Sequence, residues 1–400
     1  MKPKIRLKGF NGEWVKAPFS EIVNRTSASA SSLNFPGVEF EDINSGEGTL
    51  NKDVSRKKTV KTGKQFAEGD ILFGKLRPYL KNILLADFKG VAIGDFWVLR
   101  PQKVTSELLY ILVNSREFMR IANISSGSKM PRADWNLVSS TPFAYPDNKE
   151  EQNAIGAYFQ YLESLIQSTD KKIEALKQVK AASLQSMFPQ EGETTPRVRF
   201  KGFEGEWVKV LVGKIGTTYS GLSGKTKEDF GIGNARFVTF LNVLTNAIID
   251  TSILEAVNVF EDEHQNEVRK GDLLFNTSSE TPEEVGMCAV MDEDHSNVYL
   301  NSFCFGFRVT DETIDSKFIA YLMRSHVGRR IMSILAQGAT RYNLSKNSFC
   351  KAELLLPKTK AEQQQIANYF TSLDSQISLQ TQRLEKLKQI KYACLDNMFV

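Results

Sequence analysis

The sequence is poor in cysteine and histidine, and it contains no long apolar run. Four cysteines and three histidines are scattered among 400 residues, and no Cys-x-x-Cys pair joins two of them. This spacing argues against a disulfide framework or a structural zinc site. No stretch reaches the roughly 18 apolar residues that a membrane span requires, and the first residues lack the apolar core of a signal peptide. We therefore expect a cytoplasmic protein without a bound metal.

Motifs of self-sufficient DNA-modifying enzymes are also missing. A DNA methyltransferase needs a Gly-rich cofactor loop and a motif such as N-P-P-F or D-P-P-Y, but residues 34–37 read NFPG. No phosphate loop of the form G-x-x-x-x-G-K-S/T occurs, so ATP-driven work is not encoded. Residues 267–270 (EVRK), with Asp250 upstream, have the residue types of a metal nuclease, but a charged surface turn is the preferred interpretation. We expect no catalytic residue, cofactor-binding residue or metal ligand in this chain.

The net charge of +4 is small, but its distribution along the chain is uneven. Residues 1–149 contain 23 Lys and Arg against 15 Asp and Glu, whereas residues 196–360 contain 20 against 21. A positive excess suits contact with phosphate groups, although many basic domains bind no nucleic acid. The 41% hydrophobic and 24% charged residues are typical of globular proteins, and the length predicts two or three domains.

Two segments of the sequence occur twice. RLKGFNGEWVK at 6–16 returns as RFKGFEGEWVK at 199–209, with nine of eleven positions identical. The segment at 150–188, which begins EEQNAIGAYF, returns at 361–399 as AEQQQIANYF. Between these anchors the two halves differ, apart from EGDILFGK at 68–75 and KGDLLFNT at 270–277. The pattern is that of a duplicated frame with two different inserts.

Both copies of the second segment have a heptad pattern without an internal proline, which predicts two long helices. A helix of about 38 residues is roughly 57 Å long and cannot bury its apolar stripe alone. We expect the two helices to pair antiparallel, and the polar seam residues Thr169 and Gln380 either set the register or are merely tolerated. The predicted helix-pairing residues are Ile155, Phe159, Leu162, Ile166, Ile173, Leu176, Ile366, Phe370, Leu373, Ile377, Leu384 and Leu387.

The expected fold class is α+β, with two mixed α/β domains separated by the helices and an internal pseudo-twofold repeat. The predicted segments are a first domain at 1–149, a central helical spacer at 150–188, a linker at 189–198, a second domain at 199–360 and a C-terminal helical spacer at 361–400. Residue composition predicts short strands within 71–101 and at 236–243, 272–277 and 301–310. Apolar periodicity predicts helices at 106–123, with Ser106 as N-cap, and at 316–335.

Polar, basic and aromatic residues collect in two predicted loops of each domain, at 74–81 and 125–135 and at 276–286 and 337–347. Arg and Lys can bind guanine, Asn and Gln adenine, and hydroxyl groups phosphate. The alternative for each of these side chains is an ordinary solvated surface position. The candidate DNA-binding residues are Lys75, Arg77, Tyr79, Lys81, Ser128, Lys129, Arg132, Asn276, Ser278, Thr340, Arg341, Tyr342 and Asn343.

These anchors together resemble the specificity subunit of type I restriction-modification enzymes over essentially the whole chain. The resemblance is carried by the G-F-x-G-E-W segments at 9–14 and 202–207, by GDILFGKLRPYLKN at 69–82, and by E-Q-x-x-I at 151–155 and 362–366 before each helix. One departure is the second domain, whose net charge is −1 and which has an acidic stretch at 261–294.

The resemblance implies a non-catalytic subunit in which each domain reads one half of a bipartite target in double-stranded DNA. The paired helices would set the spacing of the half-sites and dock two modification (methyltransferase) subunits, which restriction/motor subunits join. S-adenosylmethionine, ATP and Mg are then expected on the partner subunits. The alternatives are a coiled-coil scaffold with two protein-binding heads and a self-sufficient methyltransferase or nuclease.

Overall fold

The computed structural model describes residues 3–33, 35–56, 60–124, 130–338 and 340–399. The chain divides into two compact units. Unit 1 consists of Met1–Lys171 together with Thr381–Val400, and unit 2 consists of Lys172–Gln380. Each unit thus combines one globular part with a portion of both long helices, whereas the five predicted segments keep the helices apart from the domains. The predicted segment boundaries stay a prediction.

Unit 1 is built on two four-stranded sheets. Its strands are β1 (Val15–Pro18), β2 (Val23–Thr26), β3 (Ser29–Ser31), β4 (Gly37–Val38), β5 (Ile43–Asn44), β6 (Thr49–Leu50), β7 (Thr62–Phe66), β8 (Ile71–Gly74), β9 (Ile83–Leu85), β10 (Gly90–Ala92), β11 (Phe96–Pro101) and β12 (Pro142–Tyr145). One sheet has the order β2-β11-β8-β9 and the other β3-β7-β10-β4. The predicted strands within 71–101 are confirmed as β8 to β11.

The central strands β8 and β11 of the first sheet are apolar on both faces because two cores enclose them. In β8, Ile71 and Phe73 belong to one apolar cluster and Leu72 belongs to another. Since successive side chains of a strand point to opposite faces, a strand buried on both sides needs a continuous apolar run. The ILFG segment supplies that run.

Unit 1 contains the short helices α1 (Phe19–Ile22), α2 (Ser106–Asn114), α3 (Arg116–Ala122) and α4 (Trp135–Ser140). The helix predicted at 106–123 is therefore two helices, and the N-cap prediction of Ser106 is wrong. The Thr105 hydroxyl accepts from the Leu108 N–H instead. The first helix ends before Ser115. The backbone of Ser115 is extended, and its hydroxyl caps the second helix.

Unit 2 also contains a four-stranded sheet and a second sheet, but its second sheet has three strands. Its strands are β13 (Val208–Leu211), β14 (Gly216–Ser220), β15 (Phe230–Val238), β16 (Glu255–Val257), β17 (Leu273–Asn276), β18 (Ser278–Ser279), β19 (Cys288–Val290), β20 (Val298–Leu300), β21 (Cys304–Val309), β22 (Tyr342–Asn343) and β23 (Glu353–Leu356). The sheet β14-β21-β17-β19 matches β2-β11-β8-β9 of unit 1, and a second sheet has the order β16-β15-β20. The strands predicted at 272–277 and 301–310 are confirmed.

The helices of unit 2 correct two predictions. The short helices of this unit are α6 (Val212–Ile215), α7 (Phe240–Thr245), α8 (Ser316–Arg324), α9 (His326–Leu335) and α10 (Lys346–Cys350). The strand predicted at 236–243 ends at Val238, because the Thr239 hydroxyl caps the start of α7. The helix predicted at 316–335 breaks at Ser325, which caps α9 as Ser115 caps α3.

The two long helices are α5 (Lys149–Ser186) and α11 (Lys360–Met398), and they contact each other within each unit. In unit 1, Glu163 forms an ion pair with Lys391, and the Tyr158 hydroxyl lies 3.8 Å from the Cys394 sulfur. Residue number therefore rises along α5 while it falls along α11, so the segments run antiparallel.

None of the helices in the described ranges is long and apolar enough to cross a membrane.

In unit 2, the equivalent contacts join Lys180 to Asp374 and the Ser183 hydroxyl to the Tyr369 hydroxyl, the latter at 2.9 Å. These four positions correspond to Lys391, Glu163, Cys394 and Tyr158 at the 211-residue offset of the repeat. The buried members of the predicted helix-pairing set are Ile155, Phe159, Leu162, Ile173, Ile366, Phe370, Leu373 and Leu384, and the half-buried ones are Ile166, Leu176, Ile377 and Leu387. The coiled-coil geometry itself stays a prediction.

The repeated sequence motifs are explained by one buried cluster at the start of each long helix. In unit 1, Arg6 donates two hydrogen bonds to the Glu151 carboxylate, at 2.8 and 2.7 Å, and the Trp14 indole donates a third at 3.1 Å. In unit 2, Arg199 and Trp207 make the same bonds to Glu362. A buried carboxylate needs such partners. This explains why the same arginine, tryptophan and glutamate occur in both halves of the sequence.

Candidate nucleic-acid interface

The two candidate loops of unit 1 lie side by side because their backbones pair. Leu76 and Arg132 form an antiparallel bridge. The Arg77 N–H donates to the Pro131 carbonyl at 2.8 Å, and the Ala133 N–H donates to the Lys75 carbonyl at 2.9 Å. Segments that are 55 residues apart in sequence thus form a single surface, which we call reader surface 1 and define as residues 74–81 and 130–134.

Backbone strain is concentrated in this surface. Arg77 and Lys81 both have left-handed backbone conformations, with φ of 49° and 52°, and they flank a short 3-10 turn at Pro78–Leu80. Residues other than glycine rarely adopt this backbone conformation, and such strain is typical of binding sites. The turn leaves Arg77 exposed and Tyr79 55% exposed, so both are available to a ligand.

Reader surface 1 also holds a group of charges around Asp95. Lys75 Nζ lies 3.4 Å and Arg132 Nη2 lies 2.9 Å from the Asp95 carboxylate. Burial opposes the ionisation of Asp95, but the hydrogen bonds and charges of Arg132 and Lys75 outweigh it and keep its pKa below the ordinary value. The carboxylate is therefore charged at neutral pH and orients the two cations.

Three candidates of the first domain have a different status. The Lys81 ammonium lies 5.9 Å from the centre of the Tyr392 ring, which belongs to α11. Burial and the nearby Lys391 lower the pKa of Lys81. Lys81 is thus turned toward the helix and does not join Lys75 and Arg132. Ser128 and Lys129 lie outside the described residues.

Unit 2 brings its two candidate loops together through the same frame. Ser278 pairs with Asn343 between β18 and β22, and the Leu344 N–H donates to the Thr277 carbonyl at 2.8 Å. These pairs correspond to Leu76–Arg132 and to Lys75–Ala133 in unit 1, at the repeat offsets of 202 and 211 residues. We call this reader surface 2 and define it as residues 277–279 and 340–344.

A tight loop presents the second half of reader surface 2. Gln337 and Asn343 exchange two backbone hydrogen bonds, at 3.0 and 2.8 Å. Gly338 has a φ of 138°, and a Cβ atom there would lie 2.0 Å from the Arg341 carbonyl oxygen, so only glycine fits. Thr340 and Arg341 are exposed as a result, and Tyr342 is half-buried.

Asn276 and Ser278 do not present their side chains as the sequence predicts. Asn276 is fully buried, where its amide group donates to the Glu284 carbonyl at 2.9 Å and accepts from the Met287 N–H. It holds the 276–287 loop in shape, and its side chain has no surface position. Ser278 is 7% exposed and contributes the backbone of β18.

The arginine that fixes this loop is not among the residues predicted from the sequence. Arg329 of α9 donates to the backbone carbonyls of Glu283, Val285 and Gly286. Burial, followed by repulsion from Arg324, lowers its pKa to about 10, which still leaves it charged at neutral pH. In the sequence, Arg329 reads as an ordinary polar position of a helix, because nothing local indicates that distant carbonyls converge on it.

Arg25 and Lys64 also escape sequence analysis, although both lie near reader surface 1. The Arg25 guanidinium lies 4.3 Å from the centre of the Trp135 ring. Lys64 Nζ donates to the Phe96 carbonyl at 3.2 Å, beside Asp95. Their only sequence signal is the positive excess of residues 1–149. Among the residues that the structure describes, no group of three or more His, Cys, Asp or Glu side chains could hold a metal ion.

Comparison with known proteins confirms the family resemblance. Residues 205–389 match the model of the type I restriction modification DNA specificity domain. The chain is 28% identical over 191 residues to the HindI specificity subunit of Haemophilus influenzae, covering 44% of this chain and 41% of that protein. It is 21% identical over 198 residues to the EcoDI specificity subunit of Escherichia coli, covering 47% and 44%. The matches thus span less than half the length of these relatives.

Two solved structures show a similar fold over nearly the whole chain. One is an S subunit of a type I restriction-modification system from M. genitalium, with a TM-score of 0.62, 14% identity and coverage of 100% of this chain and 99% of that chain. The other comes from work on complex assembly and conformational transition of the type I R-M system, with a TM-score of 0.56, 18% identity and coverage of 96% and 97%. They confirm the predicted α+β fold class.

Proposed function

Since residues 205–389 match the model of the type I restriction modification DNA specificity domain and the chain resembles type I specificity subunits, we propose that it is a non-catalytic DNA-recognition subunit. The observation that carries the proposal is the repeated pairing of two loops, Leu76 with Arg132 and Ser278 with Asn343. One frame thus forms a polar surface twice, with different side chains each time. This is the arrangement needed to read two different half-sites.

The proposal extends to the long helices and to the partners. α5 has 38 residues and is therefore roughly 57 Å long, which is enough to separate two readers by about one turn of DNA, or ~34 Å. We infer that the helices set the spacer of a bipartite target and dock two modification subunits. Those subunits would bind S-adenosylmethionine, and restriction/motor subunits would use ATP and Mg. The complex would work in the cytoplasm.

Binding measurements on the assembled complex test the proposal. The chain alone should bind DNA weakly, and the complex with its native methyltransferase should bind one bipartite sequence tightly and in a salt-sensitive manner. Mapping methylated adenines in the native genome would give the target and show whether it is split. Equal binding of all duplexes by the complex at physiological salt would refute the proposal, and loss of DNA binding with every native partner would favour a protein-binding scaffold.

Substitutions in the two reader surfaces should act on different half-sites. Arg77→Ala should weaken discrimination at one half-site by about 1–3 kcal/mol, because a base contact carries roughly that much specificity. Arg341→Ala should do the same at the other half-site. Competition binding with duplexes altered in one half-site at a time measures both effects. If each variant lost affinity equally at both halves, the assignment of one reader to each half would be wrong.

A further inference from the structure

Four cations lie near one another beside reader surface 1, and two of them contact the same carboxylate. Lys75 and Arg132 contact Asp95 directly, and Lys64 reaches the carbonyl of the next residue, Phe96. Arg25 lies on β2 opposite Leu99 of β11, and it is close enough to Lys64 for the two charges to repel each other. We call Arg25, Lys64, Lys75 and Arg132 the cation cluster.

Among the described residues, the cation cluster has fewer ion-pair partners than charges. Among the described ion pairs, Asp95 is the one carboxylate that pairs with the cluster, and neither Arg25 nor Lys64 forms an ion pair. Burial, together with repulsion from Lys75 and Arg25, lowers the pKa of Lys64, and Asp95 compensates only in part. Like charges held this close favour an anion, which would relieve their repulsion.

The cluster is already ordered for such an anion. The Arg25 guanidinium lies over the Trp135 ring, and the Arg132 guanidinium is hydrogen-bonded to Asp95. The Lys75 N–H donates to the Asp95 carbonyl at 2.9 Å, which ties the lysine and the carboxylate to one backbone arrangement. Little side-chain entropy therefore remains to be lost when a ligand binds.

Among the described residues of unit 2, the positions that correspond to Lys75, Arg132 and Arg25 carry no cation. The Thr277 N–H donates to the Phe303 carbonyl at 2.9 Å, so these residues occupy the positions of Lys75 and Asp95. Asn343 takes the position of Arg132. Thr218, which pairs with Phe307 on β21, takes that of Arg25. At the positions of three of the cations and of Asp95, unit 2 therefore carries four neutral residues, and one of them, Phe303, is an aromatic residue that is 58% exposed.

We propose that the cation cluster binds phosphodiester groups of duplex DNA next to reader surface 1, and that unit 1 provides more of the salt-dependent affinity than unit 2. The inference rests on the proposed function and adds Arg25 and Lys64 as backbone-contacting residues. Phosphate contacts fix the position of a protein on DNA without reading bases. The two readers would then differ in the residues beside them, with three cations at these frame positions in unit 1 and neutral residues at the same positions in unit 2.

The test measures how the affinity of the full chain with its native methyltransferase depends on salt. Wild type, Arg25→Gln, Lys64→Gln and the double variant are titrated with the target duplex at several NaCl concentrations. Each lost phosphate contact should reduce the slope of log K against log [salt] by about 0.9, and relative affinities among sequences should not change. Lys103→Gln is the matched control, because it removes a unit 1 charge that is paired with Glu21 away from the cluster.

A Lys64→Arg variant keeps the charge and should keep the slope, which separates a charge effect from a folding defect. Unchanged slopes in both Gln variants, or a slope lowered equally by Lys103→Gln, would overturn the inference while specific binding by the wild type still upholds the proposed function. If the wild-type complex binds no sequence specifically, the proposed function fails first. A shift in base preference would assign Arg25 and Lys64 to base reading and would also overturn the inference.

Discussion

At the scale of single residues, the structure depends on a few buried polar side chains with converging partners. Glu151 is 2% exposed and accepts from Arg6 and from Trp14. Gln152 next to it accepts from the Thr105 N–H and donates to the Pro146 carbonyl. The E-Q pair therefore joins the start of α5 to the first residues of the domain and to the loop before α2. The sequence reveals that this pair is repeated but does not reveal what it binds.

Glu151→Gln should destabilise unit 1 by about 3 kcal/mol, because it leaves the Arg6 guanidinium facing an amide donor in a buried place. Urea unfolding followed by tryptophan fluorescence measures this change, since Trp14 lies in the cluster. Glu150→Gln is the matched control, because Glu150 is exposed and next in sequence. Equal unfolding midpoints for the two variants would contradict the structural role of the cluster.

Tyr110 makes stability sensitive to alkaline pH. Burial, together with the nearby Glu163 charge, raises its pKa to about 12, against an ordinary value of 10. Between these two values the unfolded chain loses the phenolic proton and the folded chain keeps it. This contribution to stability is therefore complete below pH 10 and falls by about 1.4 kcal/mol per pH unit above it. Tyr110→Phe should remove that part of the decline.

Urea midpoints of wild type, Tyr110→Phe and Tyr79→Phe at pH 9, 10 and 11 test this expectation. Tyr79 is 55% exposed and serves as the control in the same unit. The wild type and Tyr79→Phe should lose stability in parallel above pH 10, and Tyr110→Phe should lose less. Parallel curves for all three proteins would show that Tyr110 ionises as readily in the folded state as in the unfolded chain.

At the scale of elements, the sequence predicts what periodicity and composition determine, and it misses what distant partners determine. The heptads predict the long helices to within a few residues of Lys149–Ser186 and Lys360–Met398. The breaks at Ser115 and Ser325 are missed because the apolar spacing continues across them, while the serine hydroxyls cap new helices. Asn276 is misassigned because its partners lie at Glu284 and Met287, in a loop whose path no local pattern indicates.

The helix α11 offers a direct test of which face carries the packing. Leu373 is 6% exposed and belongs to the core of unit 2, whereas Leu379 on the same helix is 62% exposed. Leu373→Asp should lower the stability of unit 2 by about 3 kcal/mol or more, because it removes apolar packing and buries a charge. Leu379→Asp should stay within about 0.5 kcal/mol of the wild type. Denaturant unfolding of the two variants compares them, and a similar loss in both would contradict the packed face.

The same pair of variants bears on the proposed function. If the helices dock the modification subunits, Leu373→Asp should impair assembly with the native methyltransferase before it alters the preferred DNA sequence. Co-purification measures assembly, and competition binding of the remaining complex measures preference. A changed base preference with normal assembly would show that the helix face acts on the readers and not on the partners.

At the scale of the whole molecule, each unit contains the same joint between a helix end and the start of a domain. In unit 2 the Phe188 and Trp207 rings lie 6.3 Å apart, and the Val198 N–H donates to the Ser186 carbonyl at 3.0 Å. In unit 1 the Trp14 and Phe399 rings lie 5.6 Å apart. The Ile5 N–H there donates to the Asn397 carbonyl at 3.2 Å. The first joint is connected by residues 189–198, and the second forms between segments that the chain does not connect directly.

A circular permutant should therefore fold. Residue 399 would be connected to residue 3 by a copy of the 189–198 segment, and the chain would be opened within the original 189–198. One joint gains a connection and the other loses an equal one, so the loop-closure entropies nearly cancel and stability should change by less than about 1 kcal/mol. Circular dichroism, urea unfolding and the methylated sequence in cells would compare the permutant with the wild type. A second permutant serves as the control. It is opened between residues 170 and 171 inside α5, and it should lose much of its stability because the helix is cut where its side chains pack. If the two permutants were equally unstable, the joint at Trp14 and Phe399 would not be equivalent to the one at Trp207 and Phe188.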